Sequence, residues 1–255
     1  MLVLKTTVPE ALILKDPNKA LPARLIADGA HWFAARPEHA TLSEDPVPAI
    51  QMWRSRTSDA VMQKTHPNKN NSAFRPEIQG GGIEFISGTH CGFYLSNLTL
   101  NAQNWSCALR FEAPQNSART LLTLNSGTVD NYMFLQQIMG QVIFKDQQST
   151  LEITAAQEPT SRPVTTLYAA FSDQRLWLRV DNGPVQTTGT QADIPLTNPL
   201  TLYIGCRSNK ARLLKTLGHF FLHDAILWPD TNILDPDHKE TLDLFDHPEL
   251  WGARA

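Results

Sequence analysis

The stretch Arg175-Leu176-Trp177-Leu178-Arg179-Val180-Asp181 decides the architecture. Leu176, Leu178 and Val180 alternate with Arg175, Trp177 and Arg179. A period of two is what a strand shows when only one of its faces is buried. Residues 165–171 read as its hairpin partner, with Leu167, Ala169 and Phe171 on the core side and Thr166, Tyr168 and Ala170 opposite. Strands buried on one face belong to antiparallel sheets packed against each other.

Working outward, the same texture begins at Gly82 and runs almost to the end. Short apolar, β-branched runs at 83–86, 92–95, 105–112, 120–124, 132–137, 142–145 and 151–154 predict strands. So do 165–171, 175–181, 185–188, 201–205 and 219–228. Between them, Asn125-Ser126-Gly127 and Asp181-Asn182-Gly183 supply residues that tolerate positive φ in tight turns. Many short strands with frequent turns predict an all-β sandwich or barrel. One helix is signalled over 235–247: Asp235 caps it, Pro236 suits its first position, and Leu242, Phe245 and Leu250 form its apolar stripe. His247-Pro248 stops it.

The beginning of the chain reads differently. Prolines at 9, 17, 22, 37, 46, 48, 67 and 76 break up any long element. A short helix around 20–28 and a strand at 47–54 are predicted, with a loop over 66–72. Residues 1–46 read as an irregular N-terminal arm, and 47–255 as one sandwich domain carrying the C-terminal helix.

Composition narrows the function classes. Of 255 residues, 42% are hydrophobic and only 18% charged, with 22 Lys and Arg against 25 Asp and Glu. Near balance argues against nucleic-acid binding through bulk charge. No apolar run reaches the ~20 residues of a membrane-spanning helix. The opening MLVLKTTVPEALILKD has Lys5 within its apolar stretch and no small-residue cleavage site, so it reads as mature protein. Cys91, Cys107 and Cys206 form no paired framework and read as free thiols. The charge is polarised: residues 1–76 carry 10 bases and 7 acids, whereas 230–249 carry seven acids and one base. That polarity suits subunit docking, through individually weak ion pairs.

Leu202-Tyr203-Ile204-Gly205-Cys206, followed by Gly218 to Trp228, resembles the closing strands of concanavalin A-like, laminin G-like jelly rolls. Leu222, Asp224, Ala225, Leu227 and Trp228 fill the final-strand pattern, and Asn232-Ile233-Leu234 resembles the exit from it. Val47 to Trp53, Arg75-Pro76 and Gly81-Gly82-Ile83-Glu84-Phe85 resemble laminin G-like proteins of tailed bacteriophages and prophages. The resemblance implies a jelly-roll β-sandwich, a place in the tail or baseplate of a virion assembled in a bacterial cytoplasm, and a lectin-like, receptor-binding role. It also implies homotrimers and other virion tail proteins as partners. Members of this fold bind sugars, bind proteins, cleave glucans or decorate virions, so fold alone does not assign function.

Glucanases of this fold place carboxylates two residues apart on one strand, and Glu84, Glu112 and Glu152 have no such partner. His219 and His223 share the i, i+4 spacing of zinc proteases but lack the following Glu. On a strand they stand ~13 Å apart, so they read as ordinary sheet histidines. Calcium is the one cofactor weighed: Asp130, Asn131, Asp181 and Asn182 could supply oxygens but are equally normal turn residues. Gln79-Gly80-Gly81-Gly82 lacks the Lys-Ser/Thr of a phosphate loop. There remains the face carrying Tyr168, Arg175, Trp177 and Arg179. Rings there could stack on sugars and arginines grip hydroxyls or carboxylates. The commoner arrangement is cover by the arm, the helix or another subunit. The expectation is a non-enzymatic virion attachment protein, with a purely structural virion protein and a diverged glycan-cleaving enzyme as alternatives.

Overall fold

The computed structural model describes residues 17–44, 49–69, 74–75, 81–127, 132–157, 164–193, 196–209 and 214–245. The chain begins with α1 (Pro17–Ala27), β1 (His31–Ala34), β2 (Ala40–Leu42), β3 (Ile50–Arg54) and β4 (Val61–Lys64). There follow β5 (Ile83–Phe85), β6 (Phe93–Leu98), β7 (Asn104–Glu112), β8 (Arg119–Asn125), β9 (Met133–Ile138) and β10 (Gln141–Asp146). The last part holds β11 (Glu152–Ala156), β12 (Val164–Ser172), β13 (Arg175–Val180), β14 (Gln186–Thr187), β15 (Leu200–Ile204) and β16 (Phe220–Trp228). A 3₁₀ turn (Pro236–His238) then leads into α2 (Lys239–Phe245).

These strands make two antiparallel sheets, the expected jelly-roll β-sandwich. The nine-stranded sheet runs β11-β10-β9-β8-β15-β6-β4-β3-β2. The seven-stranded sheet runs β1-β16-β7-β12-β13-β14, and β5 also pairs with β16. β1 and β5 lie one after the other along the same edge of β16. The predicted hairpin is β12–β13, in register from Leu167 with Val180 to Ser172 with Arg175. Its turn, Asp173-Gln174, takes φ of 53° and 61°, and Asp181, in the turn that follows β13, takes 49°.

The core fills the space between the sheets. Leu167, Ala169, Phe171, Leu176, Leu178 and Val180 all enter it, as their alternation predicts. At one end it is a train of rings. Phe33 meets Trp53 at 5.5 Å, Trp53 meets Phe93 at 5.7 Å, and Phe85 stacks on Phe220 at 4.4 Å. Burying each such ring contributes about 1.5–3 kcal/mol. Gly205 makes this packing feasible: its φ is 74°, and a Cβ there would lie 2.2 Å from the Phe85 ring.

A third layer covers half of the seven-stranded sheet from outside. Leu21 and Leu25 of α1 and Phe245 of α2 pack on Trp32, Ala108, Tyr168, Ala170, Ile226 and Trp228. Asp235 accepts the Asp237 N–H at 3.0 Å and starts the C-terminal helical segment, as expected. The remainder of the expected stripe and stop, Leu250 and His247-Pro248, lies outside the described residues.

The expected irregular arm is, where described, part of the sandwich. β1 pairs with β16, and β2 pairs with β3. The expected boundary at residue 46 therefore falls between two hydrogen-bonded strands. Strands of three and four residues are too short to display a period, which is why the sequence showed only their prolines.

Candidate functional site

Among the described residues, the helices do not cover the other half of that outer face, and it is polar. Its centre is Phe221, half-buried on β16. Glu84 on β5 and Glu112 on β7 both stand in register with Phe221, one on each side. Strands lie 4.7–4.9 Å apart, so the two Glu backbones are about 10 Å apart with an aromatic ring between them. Sequence reasoning sought paired carboxylates along one strand. It missed this pair because the strand between them comes more than a hundred residues later.

Each carboxylate is held. Glu84 accepts from Arg75 Nε at 2.6 Å and lies 3.2 Å from His219 Nε2. The His219 and Phe221 rings meet edge-on at 5.2 Å. Glu112 lies 3.0 Å from His223 Nε2, and His223 Nδ1 donates to the Gly81 carbonyl at 2.7 Å. A carbonyl only accepts, so Nδ1 carries the proton of that bond. His223 stands two residues after Phe221 and shares its outer face by alternation. The register shift of β16 between Leu222 and Asp224 brings Asp224 to that face as well. The two histidines thus serve two separate carboxylates, consistent with sheet residues and not with one metal.

Next along β16, Asp224 accepts the Trp32 indole N–H at 2.9 Å and pairs with Arg110 at 3.3 Å. Burial pushes the Asp224 carboxyl above its ordinary range, against the pull of Arg110, the Trp32 hydrogen bond, His223 and Arg36. Among the described residues no group of three His, Cys, Asp or Glu is placed to hold a metal. Asp181, weighed for calcium, accepts the Thr166 N–H at 2.8 Å, a turn-closing role. Asp130 and Asn131 lie outside the described residues.

The face expected from sequence is the covered half. Tyr168 is 0% exposed beneath the helices, so its ring has no face for a sugar. Arg179 is 8% exposed, donates to the Gly183 carbonyl at 3.2 Å and lies over the Tyr168 ring at 5.5 Å. Trp177 is half-buried against the same cluster and donates to the Ser172 carbonyl at 3.3 Å; Arg175 is half-buried at the start of β13. The alternation had found the face, and the structure shows the commoner arrangement, cover by the arm's α1 and the C-terminal α2.

What the open half can do is bind a polyhydroxylated ring. Phe221 offers a stacking surface, and the flanking carboxylates, imidazoles and guanidinia offer acceptors and donors in a fixed arrangement.

No protein-family model matches the chain, and no curated protein matches it in sequence. Among solved structures it is similar to domain 4 of AbnA, a GH43 extracellular arabinanase from Geobacillus stearothermophilus, in complex with arabinotriose. The TM-score is 0.57 at 12% identity, over 84% of this chain and 96% of that one. It is also similar to Trypanosoma rangeli sialidase in complex with 2,3-difluorosialic acid, with a TM-score of 0.56 and 11% identity over 88% of this chain. The chain spans only 34% of the sialidase's length. A third likeness, to botulinum neurotoxin type C, has a TM-score of 0.54 at 7% identity, over 84% of this chain and 50% of that one. At these identities the likeness shows the fold: a β-sandwich of the type found in glycan-binding proteins and glycosidases.

Proposed function

We propose that the protein is a non-enzymatic glycan-binding module, built into the tail or baseplate of a phage or prophage virion as a host-surface attachment part. The observation that carries the binding reading is Phe221, half-buried on the outer face between Glu84 and Glu112. The arabinotriose in the AbnA domain's structure and the gangliosides named with the neurotoxin agree with it. The virion setting rests on the resemblance of the segments around Trp53, Arg75-Pro76 and Gly81 to Phe85. As such a part it would assemble as a homotrimer with other tail proteins. A glycan array on the purified protein tests the binding. Host-surface polysaccharides should be retained, and Phe221→Ala should weaken retention at least tenfold without loss of fold. Light scattering at monomer mass would overturn the trimer.

A second reading, a diverged glycan-cleaving enzyme, is favoured by the cross-strand pair Glu84 and Glu112. Glycosidases work with two carboxylates flanking the bond they cut. Both are already engaged by Arg75, His219 and His223, which favours binding over proton transfer. Release of reducing sugar from a bound polysaccharide, lost in Glu84→Gln and Glu112→Gln, would reverse that order. A purely structural virion role would leave every glycan unbound.

A further inference from the structure

We propose that Arg56, with Arg36 beside it, anchors a carboxylate of the bound glycan, so that the ligand is an acidic saccharide. This rests on the glycan-binding reading above and names its substrate class.

The argument begins with the turn between β3 and β4. It crosses from the nine-stranded sheet to the edge of the seven-stranded one, where the Arg56 N–H donates to the Trp32 carbonyl at 2.7 Å. The Arg56 guanidinium then lies over the Trp32 ring, 3.9 Å from its centre. Trp32 is buried and held by Asp224, so the stack fixes the guanidinium plane. A guanidinium carries five N–H donors. Among the described residues, none of those on Arg56 has a hydrogen-bond acceptor or a carboxylate at ion-pair distance. Asp224 and Glu38 act on it only through space, and Asp224 is already committed to Trp32 and Arg110.

Burial, and then the charge of Arg36, hold the Arg56 guanidinium below its ordinary range. His39 is lowered by burial and by the charges of Arg56 and Arg36. Two guanidinia, Arg56 and Arg36, and the His39 imidazole thus share this corner with two carboxylates, Glu38 and the inward-turned Asp224. A planar guanidinium fixed by stacking presents its edge for two parallel bonds to a carboxylate. The position is also right. Ala35, next to Arg36, donates its N–H to the His223 carbonyl at 2.8 Å, placing the cationic pair beside the His223 end of the Phe221 patch. Trp32 pairs with Ile226, five residues along β16 from Phe221 and roughly 16 Å away, so the ligand is an oligosaccharide: one unit stacks on Phe221 and a further acidic unit meets Arg56 along the β1–β16 edge.

The test is retention on immobilised polygalacturonate and polysialate, each beside its carboxyl-reduced form, for the wild type, Arg56→Gln, Arg56→Lys and Phe221→Ala. Wild type should bind an acidic polymer at least tenfold better than its reduced form. Arg56→Gln should lose that preference, and Arg56→Lys, which keeps the charge but not the fork, should recover only part. Equal binding of the reduced forms by wild type overturns the inference without needing any variant to fold. So does undiminished acidic binding by a folded Arg56→Gln. If Phe221→Ala still weakens binding in either case, the glycan-binding reading survives and only the acidic ligand fails. Retention on no acidic polymer, with binding to neutral glycans on an array, overturns the inference alone. Silence on both overturns the two together.

Discussion

Trp32 on β1 and Asp224 on β16 are joined by a buried hydrogen bond of 2.9 Å between the indole N–H and the carboxylate, 192 residues apart in sequence. The bond ties the first strand of the seven-stranded sheet to the last, directly under the proposed Arg56 anchor. Removing Asp224 as alanine leaves the Trp32 N–H and the Arg110 charge without their acceptor. Breaking a buried pair in this way costs about 3–5 kcal/mol. Asp224→Ala should lower stability by that order in chemical denaturation, whereas Asp224→Asn, which can still accept from Trp32, should lose much less.

The same carboxyl predicts a pH dependence. Its folded-state value lies above its ordinary one, chiefly through burial. Between the two values the native state binds more protons than the unfolded state, so this group's contribution to stability grows as pH falls through the raised value. The melting temperature of wild type relative to Asp224→Asn should therefore rise on acidification from neutral pH toward the ordinary carboxylate range. A difference that is flat or falls over that interval contradicts the assignment.

Two glycines with the same backbone sign should behave differently. Gly205 has a φ of 74° and would place a Cβ 2.2 Å from the Phe85 ring; Gly81 has a φ of 73° but only an ordinary 3.5 Å contact with the Ala35 carbonyl. Gly81→Ala should cost on the order of 1 kcal/mol from φ alone. Gly205→Ala must also displace a stacked ring and should cost about 3 kcal/mol or more. Urea midpoints of the two variants compare them directly.

Phe220 and Phe221 are neighbours facing opposite ways. Phe220 is 1% exposed and stacked on Phe85, so Phe220→Ala should cost about 3–5 kcal/mol. Phe221→Ala should leave the melting temperature within a few degrees and act on glycan retention instead. Parallel losses of stability in both variants would return Phe221 to the structural class.

The cysteines should be silent until the fold opens. Burial pushes the Cys107 thiol up to about 12 and raises Cys206 as well, and Cys91 is buried with them. The thiolate is the reactive form. A disulfide reagent at pH 8 should therefore leave all three unmodified in the native protein and titrate three thiols in denaturant.

Alternation made the sandwich legible wherever one side of a strand faces solvent or a different layer. β13 and β12 show it residue by residue. β1 does not: Trp32 faces the helical layer, Phe33 faces the core, and Ala34 is buried again, so three buried residues stand in a row. A strand covered on both faces loses its period. The polar site was hidden for a different reason. Glu84, Glu112 and Phe221 become neighbours only through pairing of β5 and β7 to β16, and cross-strand register over such separations leaves no local spacing to read. Arg56 was equally unmarked, one arginine in a serine- and threonine-rich turn.

That turn does more than carry Arg56. Ser55 and Thr57 hydroxyls accept the Trp32 N–H at 3.1 and 3.0 Å, the Thr57 hydroxyl donates to the Ala30 carbonyl, and the Trp53 indole donates to the Ala34 carbonyl. The Trp32 carbonyl is taken by the Arg56 N–H. The rim of β1 is thus sealed against strand addition, the commonest route by which exposed sheet edges recruit one another. Sister subunits or an extended peptide would find no template along this rim. Any assembly made at this rim has to be built by side-chain contact between surfaces.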